Sequence, residues 1–247
     1  MLRITDDRTG QNVEAAPLRR GLTRVEAHDP GLDPTALRVL LVTDLLVRAL
    51  ELEGTPVWTV FTGDRQQAEL RTDAAALGVR PLEDGRGLGA ALGEAQTVHV
   101  AERGTRVPDG VLVGVAPVEP APGPPARSAL PAHTDPSAVR LALLAAPRGA
   151  PLRLDPPALT GARDTLTRWR RAVAGWARSP SRPVPDTVRG RLRAAWEDDL
   201  DVPAVLDTLR SVEQAGPELP DGARFETYAY ADRLLGLELT RDLGTPP

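Results

Sequence analysis

The sequence predicts an α/β domain followed by an all-α one, and three observations carry that prediction. Residues 22–62 run through a β-prone segment, an apolar helical repeat and a second β-prone segment, VWTVFT, which is the order of a βαβ unit with a parallel strand pair. Residues 117–131 are too rich in proline to propagate a helix or a sheet ladder and read as loop or linker. Beyond residue 135 the apolar residues recur at helical spacing. The expected organisation is an α/β domain over 1–120, a connector over 121–134 and a helical bundle over 135–247.

Residues 2–5 and 22–27 are short extended candidates on either side of the turn-rich segment 6–10, and they are expected to pair as an edge hairpin. Asp33-Pro34 opens a strong helix running to Leu52, with Asp33 as N-cap, Pro34 in the first turn and Gly54 as the stop. Residues 64–95 suggest one or two weaker Ala-rich helices, broken by the glycines of 84–89. That glycine run lacks the spacing of a dinucleotide loop and is read as a plain loop. Residues 97–101 and 111–115 are further short strands. Helices are expected over 135–146, 155–177, 184–195, 202–215 and 225–235.

The composition of 247 residues is 41% hydrophobic and 26% charged with net charge -4, which excludes a disordered chain and a nucleic-acid-coating one. The absence of cysteine removes disulfides, thiolate nucleophiles and Cys-based zinc sites together. All 30 basic residues are Arg; with the abundance of Ala, Pro and Gly this predicts a GC-rich, actinobacterial genome. The N-terminal residues have neither a basic head nor an apolar stretch, and no window is long and apolar enough for a membrane span, so a cytoplasmic location is expected. None of the serines sits in a GxSxG elbow.

Three stretches, in order, resemble the cysteinyl-tRNA synthetase superfamily and, within it, mycothiol ligase. The first is LRITDDRTGQNVEAAP (2–17), continued by RVEAHDPG (24–31). The second is DPSAVRLALLAAPRGAPLRLDPPALTGARDTLTRWRRAV (135–173). The third is AAWEDDLDVPAVLDTL (194–209) with DRLLGLEL (232–239). The resemblance implies a truncated Rossmann-like domain of class I synthetase type plus a helical bundle, with 121–134 holding the remnant of a signature loop.

The same resemblance locates what the ligation chemistry would need. The family's HIGH motif falls on Asp33-Pro34-Thr35-Ala36, where histidine is missing and Asp33 sets negative charge in the place of polyphosphate. The KMSKS loop falls within 123–133, where Arg127 and Ser128 are what a chain without lysine offers. His28 aligns with the family's first zinc cysteine, but the stretches carrying the other ligands look deleted between 79 and 117. Zinc is therefore not expected, and His28, His99 and His133 are read as isolated strand or loop residues. His28, Asp33, Arg127 and Ser128 mark the remnant nucleotide site, with ATP as cofactor if any catalysis survives.

The expected function is that of a degenerate, non-catalytic member acting as a binding or regulatory partner of another protein. One alternative is an ATP-dependent ligase or synthetase with a rewired site. Another is a tRNA-binding module using the arginines at 163, 168, 170, 171, 178, 182, 189, 191 and 193, although the spacing of Trp169 and Trp176 suits a core face.

Overall fold

The computed structural model describes residues 1–18, 21–29, 31–63, 67–85, 94–120, 128–131 and 134–244. Its centre is a five-stranded parallel sheet formed by β3 (Leu22–Asp29), β4 (Val57–Gly63), β5 (Glu83–Asp84), β6 (Glu94–Glu102) and β7 (Val111–Val115). The strands lie in the order β5-β4-β3-β6-β7. Counted along the chain this is the 3-2-1-4-5 order of a Rossmann-like sheet, and the chain reverses direction between β3 and β6.

Helix α1 (Pro34–Leu52) is buried along nearly its whole length because it is sandwiched, with the sheet on one side and the helical half on the other. Val25 and Ala27 of β3, Val98 and Val100 of β6, and Val113 and Val115 of β7 form the sheet's contribution to that core. Strand periodicity turns Arg24, Glu26 and His28 to the opposite face. After α2 (Gln67–Ala76) come α3 (Pro136–Leu144), α4 (Pro156–Trp176), α5 (Asp186–Glu197), α6 (Val202–Glu213) and α7 (Asp221–Leu235). The helical half closes around Trp169, which is fully buried and donates Nε1–H to Glu213 Oε2 at 3.0 Å, and around Tyr228, whose hydroxyl donates to the Leu209 carbonyl at 2.9 Å. Trp169 and Trp176 both meet the Tyr228 ring edge-on, as a shared core face requires.

Three buried arginines tie the halves together. Arg38 of α1 donates to the carbonyls of Ala116, Ala146, Pro147 and Ala150. Arg140 of α3 donates to Leu235 O, Leu77 O and the Asp44 carboxylate. Arg148 joins Thr5 O, Gly114 O and Asp199. Gly236, at the C-cap of α7 with φ +59°, lies where any Cβ would stand 2.8 Å from the Arg140 guanidinium, so both its backbone and its smallness are required.

The structure corrects the sequence reading in two places. The extended segment near residue 22 is the middle strand of the parallel sheet; the N-terminal hairpin pairs β1 (Arg3–Thr5) with β2 (Asn12–Glu14) instead. The hairpin's turn then shields the sheet edge, because Asp7 N–H donates to Leu112 O and Leu112 N–H to Asp6 Oδ1. Within the proline-rich stretch, β8 (Val118–Pro120) pairs in parallel with β9 (Leu152–Leu154). Its prolines are tolerated because two three-residue strands require few ladder donors. The helical expectation for 64–95 holds for α2 alone among the described residues; residues 86–93 lie outside them. No helix among the described residues is long and apolar enough to cross a membrane.

Candidate functional site

In sheets of this order, ligands meet the carboxyl ends of the strands at the point where the chain reverses, here between β3 and β6. Two features flank that point: the N-terminus of α1 and a cluster of side chains on the face of the sheet turned away from α1.

The N-terminus of α1 is already occupied by the chain's own groups. Asp33 accepts the Ala36 N–H on its carboxylate at 2.8 Å and the Leu37 N–H on its carbonyl at 3.2 Å, while Pro34 has no N–H to offer. Thr35 Oγ1 accepts the Val118 N–H at 3.0 Å. At this end Pro34 has no N–H and the Ala36 N–H is taken by Asp33, whose carboxylate also meets the helix dipole. Asp33→Ala is expected to lower the unfolding free energy by about 1 kcal/mol, the usual loss for an aspartate cap, read from denaturant melts.

Opposite the core, register sets Glu26 beside His99 and His28 beside Thr62. His28 Nε2 and His99 Nδ1 are 2.8 Å apart. Glu26 Oε1 lies 3.9 Å from His28 Nε2, and Glu26 Oε2 lies 3.9 Å from His99 Nδ1. Thr62 Oγ1 donates to Glu26 Oε1 at 2.6 Å, and Arg24 pairs with Oε2 at 3.1 Å while stacking over Trp58. His99 Nε2 is 3.3 Å from the Asp109 carbonyl. A carbonyl only accepts, so Nε2 carries the proton; Nδ1 of the neutral ring is then a lone pair, and His28 Nε2–H donates to it. Burial pushes both imidazoles below the ordinary histidine range, in spite of Glu26, so both rings are neutral at pH 7.

Gly110 makes the His99 position possible. Its φ of +141° is a glycine conformation, and a Cβ there would approach Thr97 O to 2.7 Å and His99 Nε2 to 3.2 Å. Among the described residues, Glu26, His28 and His99 are the group whose potential metal-ligand atoms lie within 4.8 Å of one another.

The residues singled out from sequence therefore separate. Asp33 is a helix cap. Ser128 is committed elsewhere: its hydroxyl donates to the Asp73 carboxylate of α2, at 2.9 Å to Oδ2, and that carboxylate also accepts the Ala129 N–H. Arg127 and His133 lie outside the described residues. His28 is not isolated, since the fold brings it to His99 and Glu26. Those two partners carry a signal in sequence, the alternation Arg24-x-Glu26-x-His28 and a histidine set between valines at 98 and 100, which becomes legible once both segments are known to be adjacent strands.

By fold, then, this is an α/β protein with a Rossmann-like sheet order and a helical half. No family model matches the chain. Over 110 residues it is 38% identical to the L-cysteine:1D-myo-inositol 2-amino-2-deoxy-alpha-D-glucopyranoside ligase of Streptosporangium roseum, covering 43% of this chain and 26% of that ligase. The ligase of the same name from Geodermatophilus obscurus is 36% identical over 110 residues, covering 42% and 25%. That from Cellulomonas flavigena is 37% identical over 110 residues, again covering 42% and 25%. The chain is related over that segment to the mycothiol ligases, a cysteinyl-tRNA-synthetase-like family, and the match spans about a quarter of those relatives' length.

Proposed function

We propose that this protein is a non-catalytic relative of the cysteine ligases, in which the Rossmann-like sheet and helical half serve binding to, or regulation of, another protein rather than adenylate formation. The observation that carries this reading is the self-occupied N-terminus of α1. Where an ATP-using relative needs free N–H groups and cationic side chains for a triphosphate, Asp33 supplies a carboxylate that takes up the Ala36 N–H, and Pro34 has no N–H to offer. The chain contains no lysine to hold a leaving pyrophosphate, and Ser128 is held by Asp73. A fold carries no activity by inheritance, so kinship with ligases leaves ligation to be argued from these groups.

The helical half supports one further mode of binding. Arg163, Arg168, Arg171, Arg178, Arg182, Arg189, Arg191 and Arg193 are exposed, with Arg163, Arg168, Arg189 and Arg193 also paired to Asp164, Glu213, Asp186 and Glu197, whereas Arg170 is buried on the carbonyls of Leu237 and Glu238. The exposed set is the part of the arginine-rich region available to an acidic partner, tRNA included. Amino-acid-dependent ATP–pyrophosphate exchange tests the non-catalytic reading, with no exchange above background as the expected result.

A further inference from the structure

We infer that Glu26, His28 and His99 form a binding site for one divalent transition-metal ion of the zinc class, built entirely from nitrogen and oxygen ligands on two neighbouring strands. The site is independent of the ligation reading: it uses none of the groups at the α1 N-terminus, and it stands whether or not the protein handles ATP.

Four observations converge on it. The first is spacing. Ligand atoms bound to one zinc at about 2.0–2.2 Å stand roughly 3–3.5 Å apart; here His28 Nε2 and His99 Nδ1 are 2.8 Å apart and, with one Glu26 oxygen, the three ligand atoms lie within 4.8 Å of one another, so shifts of about an ångström, with the His28 proton moved to Nδ1, converge them on one ion. The second is support behind the ligands. His99 gives its outer N–H to the Asp109 carbonyl, the arrangement that fixes the tautomer of a ligating imidazole and turns the Nδ1 lone pair inward. Gly110 permits that approach by having no side chain. Thr62 fixes the rotamer of Glu26 in the same way.

The third is rigidity. The ligands sit on β3 and β6, paired through six consecutive positions, Thr23 to His28, in the middle of the sheet, so the site is placed by the ladder rather than by a loop. The fourth is charge. Glu26 supplies one negative charge, Arg24 at 3.1 Å offsets it, and each carboxylate oxygen keeps a second lone pair after accepting from Thr62 or Arg24. Two imidazoles and one carboxylate leave a coordination position for water or a small ligand, as in open three-ligand sites. The His28 side chain is 14% exposed, which gives that position a route to solvent.

The test uses the full-length, tag-free chain in equilibrium dialysis against Zn2+ and in absorption titration with Co2+. One Zn2+ per chain and the visible d–d bands of Co2+ in a low-symmetry N/O site are expected. Glu26→Gln preserves shape and removes the ligand charge, and His28→Ala removes the more exposed imidazole. Each is expected to weaken Zn2+ binding on the order of 100-fold while circular dichroism shows an intact fold. No binding by the wild-type chain, or wild-type affinity in a folded Glu26→Gln protein, would overturn the site. In that event Glu26, His28 and His99 are a hydrogen-bonded polar cluster and nothing more.

Discussion

Asp44→Ala is expected to destabilise the protein by about 3–5 kcal/mol, the cost of removing one partner from a buried ion pair. Asp44 lies on α1 with its side chain 1% exposed and is met by Arg140 at 2.8 Å, Arg48 at 2.8 Å and Arg80 at 3.1 Å. Arg140 is fully buried, so losing Asp44 leaves a guanidinium without its counter-charge in the interior. Arg48 and Arg80 reach solvent, and their alanine variants are expected to lose much less, within the range of surface pairs. Combining Asp44→Ala with Arg140→Met removes both charges together, and the loss should fall short of the sum of the single losses. Chemical denaturation of the four single variants and the double variant reads all of these outcomes.

The same residue sets an acid response. Burial alone would push the Asp44 carboxyl up, but the Arg140 and Arg48 guanidiniums outweigh it and hold it below the ordinary carboxylate range. A depressed folded-state value contributes stability that is complete above the unfolded value, near 4, and is lost as pH falls through the folded one. The gap between wild-type and Asp44→Ala stability should therefore narrow below about pH 4.

Arg38→Met is expected to cost about 3–5 kcal/mol even though it preserves most of the side-chain volume, because four interior carbonyls lose their donor together. Those carbonyls lie at Ala116, beside β8, and at Ala146, Pro147 and Ala150, between α3 and β9. Arg38 is thus the point at which α1 fastens the sheet to the helical half. Burial pushes its guanidinium down to about 10, which leaves it charged at neutral pH. Arg38→Lys should recover little, since three donors on one nitrogen cannot span four carbonyls.

Much of the fold was legible because its strongest elements carry local signals. Asp33-Pro34, Asp135-Pro136, Asp155-Pro156 and Asp201 all cap helices whose starts the cap chemistry marks, and Gly54 and Gly236 end helices with positive φ. β3 pairs in parallel with β4, as the βαβ reading of 22–62 expects, but the hairpin with residues 2–5 does not form: the alternation of Arg24, Glu26 and His28 with Val25 and Ala27 is equally the pattern of a half-buried strand at an edge. It is a central strand whose second face carries a polar cluster, and alternation alone does not separate the two cases. β8 and β9 are three residues each and exist only because they meet, which no local pattern encodes.

For the candidate site, the capping role of Asp33 was readable from Asp-Pro at a helix start. The meeting of His28 with His99 was not, because it depends on β6 crossing over to lie beside β3 after a separation of 71 residues. The arginine-rich stretch was readable as a composition but not as a surface: Arg170 and its exposed neighbour Arg171 differ only in the face of α4 they occupy.

Whether this ligase-related fold performs adenylation is read by amino-acid-dependent exchange of pyrophosphate into ATP, run over a panel that includes cysteine and beside a heat-inactivated control. The expected result is no exchange above that control with any amino acid. Exchange dependent on one amino acid would overturn the non-catalytic reading and would require a triphosphate site that does not use the N-terminus of α1.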